Sequence, residues 1–358
     1  MRLIVGLGGI ILVAAMLWDA FETVVLPRRV ARRLRVAIAV GYSWRAWRTL
    51  VGRIRRSSRR EAYLAFFGPA AALMMLALWA AGIIVGFAMV HWGLGSDLTA
   101  PEHRAGFGTD LYLSGTTMTT LGLGDVTPRS AAARAAVVLE AGVGLSFLAL
   151  ILSYLPVIYQ AFSRREWRIS TLDAWAGSPP SAGELLRRLD GNTALLERFL
   201  AEWEVWAAQL LESHLSYTVL VYYRSQHDNE SWLSAMTAVL DTCALAIGAV
   251  DHAPRRLAQL TFAMARHAVV DLSIVLNCPP EPPAPDRLPA GDRASLVAML
   301  RAGGCTVRDD AEAAARVDEL RGMYEPYVNA LARRLALTLP PWLGEQGARD
   351  NWQKSKWR

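Results

Sequence analysis

Three long apolar segments alternate with basic or polar connections along the first half of the chain. The first covers residues 3–26, and the second, residues 63–92, contains no Asp, Glu, Lys or Arg. A third apolar segment covers residues 131–162 and ends at the basic sequence SRREWR. Each is long enough to cross about 30 Å of hydrocarbon as a helix, so the pattern predicts three transmembrane helices.

The arginines around the first apolar segment predict its orientation. Only Arg2 precedes it, whereas the run PRRVARRLR follows, which reverses the charge order of a secretory signal peptide. Because cytoplasmic flanks are rich in Lys and Arg, we expect the N-terminus outside and the C-terminal domain in the cytoplasm of a multi-pass protein of the plasma or inner membrane. Asp19 and Glu22 interrupt this segment on one helical face. Ion pairs with the following arginines explain them more simply than a gating role does.

The connection between the first two apolar segments, residues 27–62, is strongly basic. Its arginines are interleaved with apolar residues, and no acid occurs before Glu61. This pattern predicts an amphipathic cytoplasmic segment that lies on anionic membrane lipids. Arg29, Arg32 and Arg35 have the spacing of a voltage-sensing helix, but a sensor also needs an apolar span around its arginines, so the interfacial interpretation is favoured.

Composition supports a membrane protein over a soluble one. Hydrophobic residues make up 53% of the chain, and the mean hydropathy is +0.22. The net charge of +6 also fits a nucleic-acid-binding protein, but the basic residues cluster beside apolar helices, so we expect no nucleic-acid partner. Cys243, Cys278 and Cys305 show no metal-ligand or disulfide spacing and are predicted to be reduced packing residues.

A polar segment between the second and third spans is too short to cross the membrane. Residues 107–121, FGTDLYLSGTTMTTL, predict a helix that enters the membrane and turns back. The irregular backbone that follows must then line a pore or be buried in protein. Gly122 and Gly124 can adopt backbone angles that turn successive carbonyls to one side. A ring of such carbonyls can replace the hydration shell of a cation.

The sequence MTTLGLGDVTP at residues 118–128 resembles the T-V-G-Y-G-D signature of pore-loop potassium channels, and it differs at Leu121 and Leu123. Residues 63–162 also have that family's order of outer helix, pore helix, filter and inner helix. The resemblance implies potassium ions bound in a selectivity filter, with no other metal, no cofactor and no enzymatic activity. The implied filter residues are Thr120, Leu121, Gly122, Leu123 and Gly124.

The resemblance also assigns the residues around the filter. Thr119 would pack behind it, and Asp125 would lie at its outer mouth. Thr116 stands where some members have a Glu that pairs with the mouth aspartate, and Leu123 replaces a Tyr that braces the filter. The degree of potassium selectivity is therefore open. One pore loop per chain also implies a homotetramer, because the carbonyl ring must close around an axis.

Two glycines and two leucines of the third span are candidates for gating. Gly142 and Gly144 lie where the family has a glycine hinge, although close helix packing explains them equally well. Leu148 and Leu152 follow Gly144 on one helical face, which is expected to line the cavity. Pro156 is expected either to bend this helix or to mark its end.

Glu140 is a charged residue within an apolar helix, so it is expected to face protein rather than lipid. Its depth matches that of the filter. We expect it to accept hydrogen bonds from Thr116 or Thr117, and a pair with Arg134 is the alternative.

The second half of the chain has apolar residues at helical spacing and no G-x-G-x-x-G nucleotide fingerprint. Ser181 with Glu184 predicts a helix N-terminus. A stripe of apolar residues in the C-terminal part is expected to be buried within one subunit: Val317, Leu320, Tyr324, Tyr327, Leu331 and Leu335. A weaker hypothesis is a metal site, whose candidate ligands are His214, His227, Asp228 and Glu230.

The sequence thus predicts an all-α membrane protein that functions as a tetrameric potassium-conducting channel with a helical cytoplasmic regulatory domain. A weakly selective cation channel and a non-conducting membrane sensor are the alternatives, and the cytoplasmic ligand or protein partner is unknown. The predicted segments are an N-terminal transmembrane helix (1–26), a basic amphipathic segment (27–62), a pore domain (63–162), a helical bundle (163–276), a Pro-rich connector (277–293) and a C-terminal helical segment (294–358).

Overall fold

A computed structural model describes residues 1–24, 35–54, 56–100, 106–226, 229–282, 285–344 and 350–353. The chain divides into two units, residues 1–160 and 161–358. Helices dominate both units, and a two-residue antiparallel ladder joins β1 (Leu98–Thr99) to β2 (Thr127–Pro128). The all-α class predicted from the sequence is confirmed.

The first unit contains the membrane-spanning segments. Its helices are α1 (Arg2–Val24), α2 (Arg35–Val51), α3 (Ser57–Gly93), α4 (Phe107–Met118) and the start of α5 (Ala131–Ala176). Among the described residues, α1, α3 and α5 are the helices long and apolar enough to cross a membrane, as predicted. The short helix α4 lies between the second and third of them in sequence.

Two helix boundaries differ from the prediction. Helix α3 begins at Ser57 rather than at residue 63, so part of the basic segment belongs to it. Helix α5 does not end at residue 162 but continues to Ala176, with Pro156 inside it. Ile169 and Leu172 are buried in the second unit, and this packing explains why the helix persists beyond its apolar stretch.

Helices α1 and α3 pack closely through small residues. A Cβ on Gly6 would lie 3.1 Å from the Cα of Gly93, so glycine at this position permits the close approach of the two helices. Trp79 is buried and donates its Nε1 hydrogen to Asp19 Oδ2 at 2.8 Å. Asp19 therefore joins the two helices, whereas Glu22 accepts a hydrogen bond from Trp18 on its own helix.

The basic segment is described only in part. Its residues 27–34 and 55 lie outside the described residues, as do the predicted arginine partners at positions 28, 29, 32 and 33. Within α2, Trp44 is buried, and its ring centroid lies 4.9 Å from that of Phe67 on α3. The apolar face of α2 thus contacts protein at this point. Lipid binding by the segment stays a prediction.

The second unit is a helical bundle built around one central helix. After the last turns of α5 come α6 (Ala182–Arg188), α7 (Thr193–Ser216), a 3₁₀ helix (Thr218–Tyr222), α8 (Trp232–Gly248), α9 (Arg255–Val275), α10 (Ala290–Ala302), α11 (Ala311–Gly322) and α12 (Glu325–Leu335). Every residue of α8 is buried. Ser181 caps α6 by accepting a hydrogen bond from the Glu184 backbone N–H at 3.2 Å, as predicted. The three cysteines are free and buried.

The C-terminal helices belong to the same unit as the larger bundle, so the predicted separation at the Pro-rich connector is not observed in the described residues. Arg287 of the connector donates to Asp241 on α8 at 2.7 Å and to Glu325 on α12 at 2.9 Å. These charged hydrogen bonds join the connector and α12 to the central helix. The predicted apolar stripe is divided between α11, the N-cap residue Tyr324 and α12. Its members are buried except for the half-buried Tyr327.

The hypothesis of a metal site near His214 is not supported in the described part of the chain, where no group of three potential ligands is found. His227 and Asp228 lie outside the described residues. Burial, and secondly the Arg165 guanidinium 3.1 Å from Nε2, hold the pKa of His214 well below its usual range. A cation beside this ring nitrogen disfavours a metal ion there.

Candidate functional site

The end of helix α4 turns the chain sharply into the Thr-Leu-Gly-Leu-Gly segment. Thr119 donates both its backbone N–H, at 3.1 Å, and its hydroxyl, at 2.8 Å, to the Gly115 carbonyl. The Thr116 carbonyl accepts from the N–H of Leu121 at 2.8 Å and of Gly122 at 3.3 Å. Carbonyls at a helix C-terminus lack partners within the helix, so these bonds satisfy them and fix where the segment begins.

Every second residue of this segment has a left-handed backbone. The φ angles are +58° at Thr120, +51° at Gly122 and +80° at Gly124. The two glycines were expected to adopt such angles, because they lack a Cβ. Thr120 was not expected to do so, since a β-branched residue rarely adopts positive φ and its sequence gives no signal for it. Strained backbone of this kind is concentrated at functional sites.

The segment is open to its surroundings within a single chain. Leu121 is 60% exposed and Leu123 is 64% exposed. A Cβ added at Gly122 or Gly124 would meet nothing within 4 Å, so backbone angle rather than space accounts for glycine there. The side chains of this segment are therefore largely uncovered in the single chain.

The segment after the glycines is fixed to helix α4. The Tyr112 hydroxyl donates to Asp125 Oδ2 at 2.8 Å. Leu98, Leu113 and Val126 form a small apolar cluster, so β1, α4 and the residue after Asp125 pack together. The sequence placed Asp125 at a mouth but did not identify Tyr112 as its partner. Leu123 has no phenol with which to brace this loop, but the phenol of Tyr112 holds it through Asp125.

Glu140 of α5 is buried and contacts both α3 and α4. Its Oε2 lies 3.2 Å from His91 Nε2, and its Oε1 is hydrogen-bonded to Ser114 Oγ. The prediction that Glu140 faces protein at the depth of the pore helix agrees with this geometry, but the predicted donors are wrong. Thr116 instead donates its hydroxyl to the Leu113 carbonyl at 3.0 Å. Arg134, the alternative partner, donates to the Pro128 carbonyl at 3.4 Å.

Sequence analysis missed His91, Ser114 and a third buried residue, Asp110. Asp110 accepts a hydrogen bond from Ser96 Oγ at 2.7 Å. A signal existed for His91, which is the one titratable side chain other than tyrosine in residues 63–92. Ser114 is hidden among the threonines of a Thr-rich helix. Ser114 lies 26 positions from Glu140, and no helical spacing connects residues that far apart.

The candidate residues of the third span differ in their surroundings. Gly144 packs against Met118 at the end of α4, whereas a Cβ on Gly142 would meet nothing within 4 Å. Leu148 and Leu152 are 46% and 67% exposed, so their shared face is uncovered in the single chain. Exposure of this face is consistent with a cavity lining. The hydroxyl of Thr117 does not contact Glu140, because Ser114 and His91 occupy that position.

Residues 73–160 match the family model described as an ion channel. Searches of curated proteins and of solved structures found no match to the chain. The matched residues include most of α3, all of α4, the Thr-Leu-Gly-Leu-Gly segment and the start of α5. The match confirms the resemblance to ion channels over residues 73–160, which are called the ion-channel domain. The second unit lies outside the match.

Proposed function

We propose that the protein is a potassium-conducting channel whose selectivity filter consists of residues 120–124. The observation that carries this proposal is the positive φ at Thr120, Gly122 and Gly124, directly after a helix that ends between two spanning helices. Alternating backbone handedness supports carbonyls that face one side, where they replace the hydration shell of a cation. The Thr120 hydroxyl would add one more oxygen ligand at the inner end.

Four copies of the chain are proposed to surround the pore. One chain provides a single filter strand, and a carbonyl ring requires repetition around an axis. The exposure of Leu121, Leu123 and Leu152 supports this arrangement, since such apolar surface is normally covered by lipid or protein. Permeant potassium is then the only ion that the site needs, and no cofactor or catalytic residue is proposed.

The second unit is proposed to regulate conduction through helix α5. This helix begins in the ion-channel domain and continues into the second unit, where Arg165 is buried. Arg165 donates to the carbonyls of Leu220 at 3.0 Å and Tyr223 at 2.8 Å. A rearrangement of the bundle that displaces these carbonyls would therefore act on the helix that lines the pore.

A weakly selective cation channel is the second candidate, and Leu123 favours it. The side chain of Leu123 cannot donate the hydrogen bond by which a tyrosine would brace the filter. Carbonyl spacing would then fluctuate more, and sodium would be excluded less strongly.

Purified full-length protein in liposomes tests these functions. Under a potassium/sodium gradient, a selective channel gives a reversal potential near that of potassium, a weakly selective channel gives one near zero, and a non-conducting sensor gives no current. Gly122→Ala should abolish conduction, because its Cβ opposes the positive φ. Gly108→Ala is the matched control, since Gly108 lies within α4 and has open space around its Cβ position. Normal potassium current in Gly122→Ala would overturn the filter assignment.

A further inference from the structure

Three helices of the ion-channel domain meet at one buried row of polar groups. His91 Nε2 of α3 lies 3.2 Å from Glu140 Oε2 of α5, and Glu140 Oε1 contacts Ser114 Oγ of α4. Ser114 Oγ also lies 2.7 Å from the Ile84 carbonyl oxygen of α3. The side chains of His91, Ser114 and Glu140 are at most 1% exposed. Polar groups buried this deeply are normally paired in hydrogen bonds.

The hydrogens of this row can be counted. A serine hydroxyl has one hydrogen to donate. If Glu140 were ionised, both neighbours of Ser114 Oγ, the carboxylate and the Ile84 carbonyl, would be acceptors. One of the two oxygen pairs would then be in close contact with no hydrogen between them. If Glu140 carries a proton, it donates to Ser114, Ser114 donates to Ile84, and every pair contains one hydrogen.

The second ring nitrogen of His91 gives independent evidence. Nδ1 is buried and has no hydrogen-bond partner among the described residues. A doubly protonated imidazolium would place an unpaired N–H there, next to no acceptor, which is unfavourable in a buried position. A neutral ring with its hydrogen on Nε2 leaves only a lone pair at Nδ1. That tautomer donates to Glu140 Oε2 and requires no negative charge on the carboxyl group.

We propose that Glu140 is held as a neutral carboxylic acid. The row of hydrogen bonds that runs from His91 through Glu140 and Ser114 to Ile84 then positions the pore helix for conduction. Glu140, His91 and Ser114 are positioning residues, because they do not touch the permeating ion. The conduction part of this proposal rests on the proposed channel function, whereas the protonation of Glu140 does not.

The location of this row of hydrogen bonds explains how it would act on the filter. Ser114 lies one helical turn before Met118, where α4 ends and the filter begins. Gly144 lies one turn after Glu140 and packs on Met118. The contacts of Ser114 and Met118 with α5 are therefore in register, and together they fix the end of the pore helix against the inner helix.

Few other charges face this row. Asp110 on α4 interacts electrostatically with His91 and with Arg2 of α1, and its Oδ2 accepts the hydrogen bond from Ser96. A pH profile of the parent protein must therefore be compared with variants at Glu140 before any titration is assigned.

Glu140→Gln is the decisive variant. Its amide accepts from His91 and donates to Ser114, so it reproduces the proposed row of hydrogen bonds without a charge. We expect potassium current and selectivity within about twofold of the parent protein. Glu140→Ala and Ser114→Ala each interrupt the row of hydrogen bonds. Each should reduce potassium-over-sodium selectivity by about tenfold, because it leaves one buried polar group unsatisfied.

The pH profile and infrared spectroscopy separate this role from a simple packing role. Raising the outer pH should ionise Glu140 and reduce the parent current, while the current of Glu140→Gln stays constant. The infrared spectrum of the folded parent protein at neutral pH should contain the C=O stretch of a protonated carboxylic acid that Glu140→Gln lacks. Both measurements use folded tetramer, so misfolding of Glu140→Ala would not prevent the test.

Two outcomes would overturn the proposal. A Glu140→Gln channel as impaired as Glu140→Ala would mean that a negative charge is needed, as in an ion pair with His91. Identical infrared spectra of the parent protein and Glu140→Gln would mean that Glu140 carries no proton. A parent protein that conducts no ions would instead refute the proposed channel function, and the infrared comparison would still decide the protonation of Glu140.

Discussion

Gly144 of α5 packs directly on Met118, the last residue of α4, so closely that a Cβ at position 144 would lie 2.6 Å from the Met118 carbonyl oxygen. Of the two interpretations offered by the sequence, close helix packing is observed at Gly144. Gly142 has open space around its Cβ position. The hinge interpretation stays a prediction at both positions.

Gly144→Ala is expected to displace the end of the pore helix and reduce potassium current by at least about tenfold, because backbone atoms cannot yield as a flexible side chain can. Gly142→Ala is the matched control and should conduct nearly as the parent does. Single-channel recordings of both variants in the same bilayers measure the effect. Equal currents in the two variants would mean that the contact with Met118 is not needed for the filter.

Tyr112→Phe removes the hydroxyl that donates to Asp125 at 2.8 Å. Without this bond the outer end of the proposed filter should fluctuate more, so we expect faster current decay during sustained opening. Tyr159→Phe is the control, since Tyr159 is 66% exposed on α5 and lies outside the filter region. Unchanged decay in Tyr112→Phe would show that the apolar cluster alone holds this loop.

Cysteine labelling tests the proposed topology. Thr99 and Arg53 are exposed and lie on either side of the spanning part of α3. An impermeant thiol reagent should label Thr99→Cys from outside and Arg53→Cys from the cytoplasm, as the arginine distribution predicts. The native cysteines are buried, so background labelling should be low. Labelling of both positions from the same side would contradict the three-span topology.

Arg287→Ala is expected to destabilise the second unit by about 3–5 kcal/mol, because it leaves the buried carboxylate of Asp241 without its cationic partner. The Arg287 side chain is 9% exposed and that of Asp241 is fully buried. Arg316→Ala removes an equally long side chain from an exposed pair with Glu319 and should cost about 0–1 kcal/mol. Denaturant unfolding followed by tryptophan fluorescence compares them, and similar losses would refute the role of Arg287.

Acid is expected to destabilise the second unit through His214. Burial and Arg165 hold its pKa well below the usual range in the folded state, so below about pH 6.5 the unfolded chain binds a proton that the folded chain does not. Stability therefore falls as the pH falls through this range. The loss in thermal midpoint between about pH 7.5 and pH 5.5 should be smaller in His214→Gln than in the parent protein.

His252→Asn is the control for this measurement, because His252 is exposed. Its pH dependence should match that of the parent protein. A loss in His214→Gln as large as in the parent protein would assign the acid sensitivity to other groups.

The sequence by itself determined the three long apolar helices, the short helix α4 between the second and third of them, and the left-handed glycines that follow α4. These features depend on local signals: an unbroken apolar run of sufficient length, a run too short to span, and glycines where positive φ is required. The capping of α6 by Ser181 was equally local and was predicted correctly. The order of these elements then carried the resemblance to ion channels, which the family match at residues 73–160 confirms.

Only the tertiary structure decided which residues contact Glu140. His91 and Ser114 are separated from it by 49 and 26 positions, and no periodicity within one helix connects residues at such distances. The positive φ of Thr120 likewise follows from the hydrogen bonds at the end of α4, and the inclusion of α12 in the bundle follows from Arg287. Local chain preferences determine where helices begin and end. Hydrogen-bond partners on different helices depend on how those helices pack, because only packing brings their buried polar groups within bonding distance.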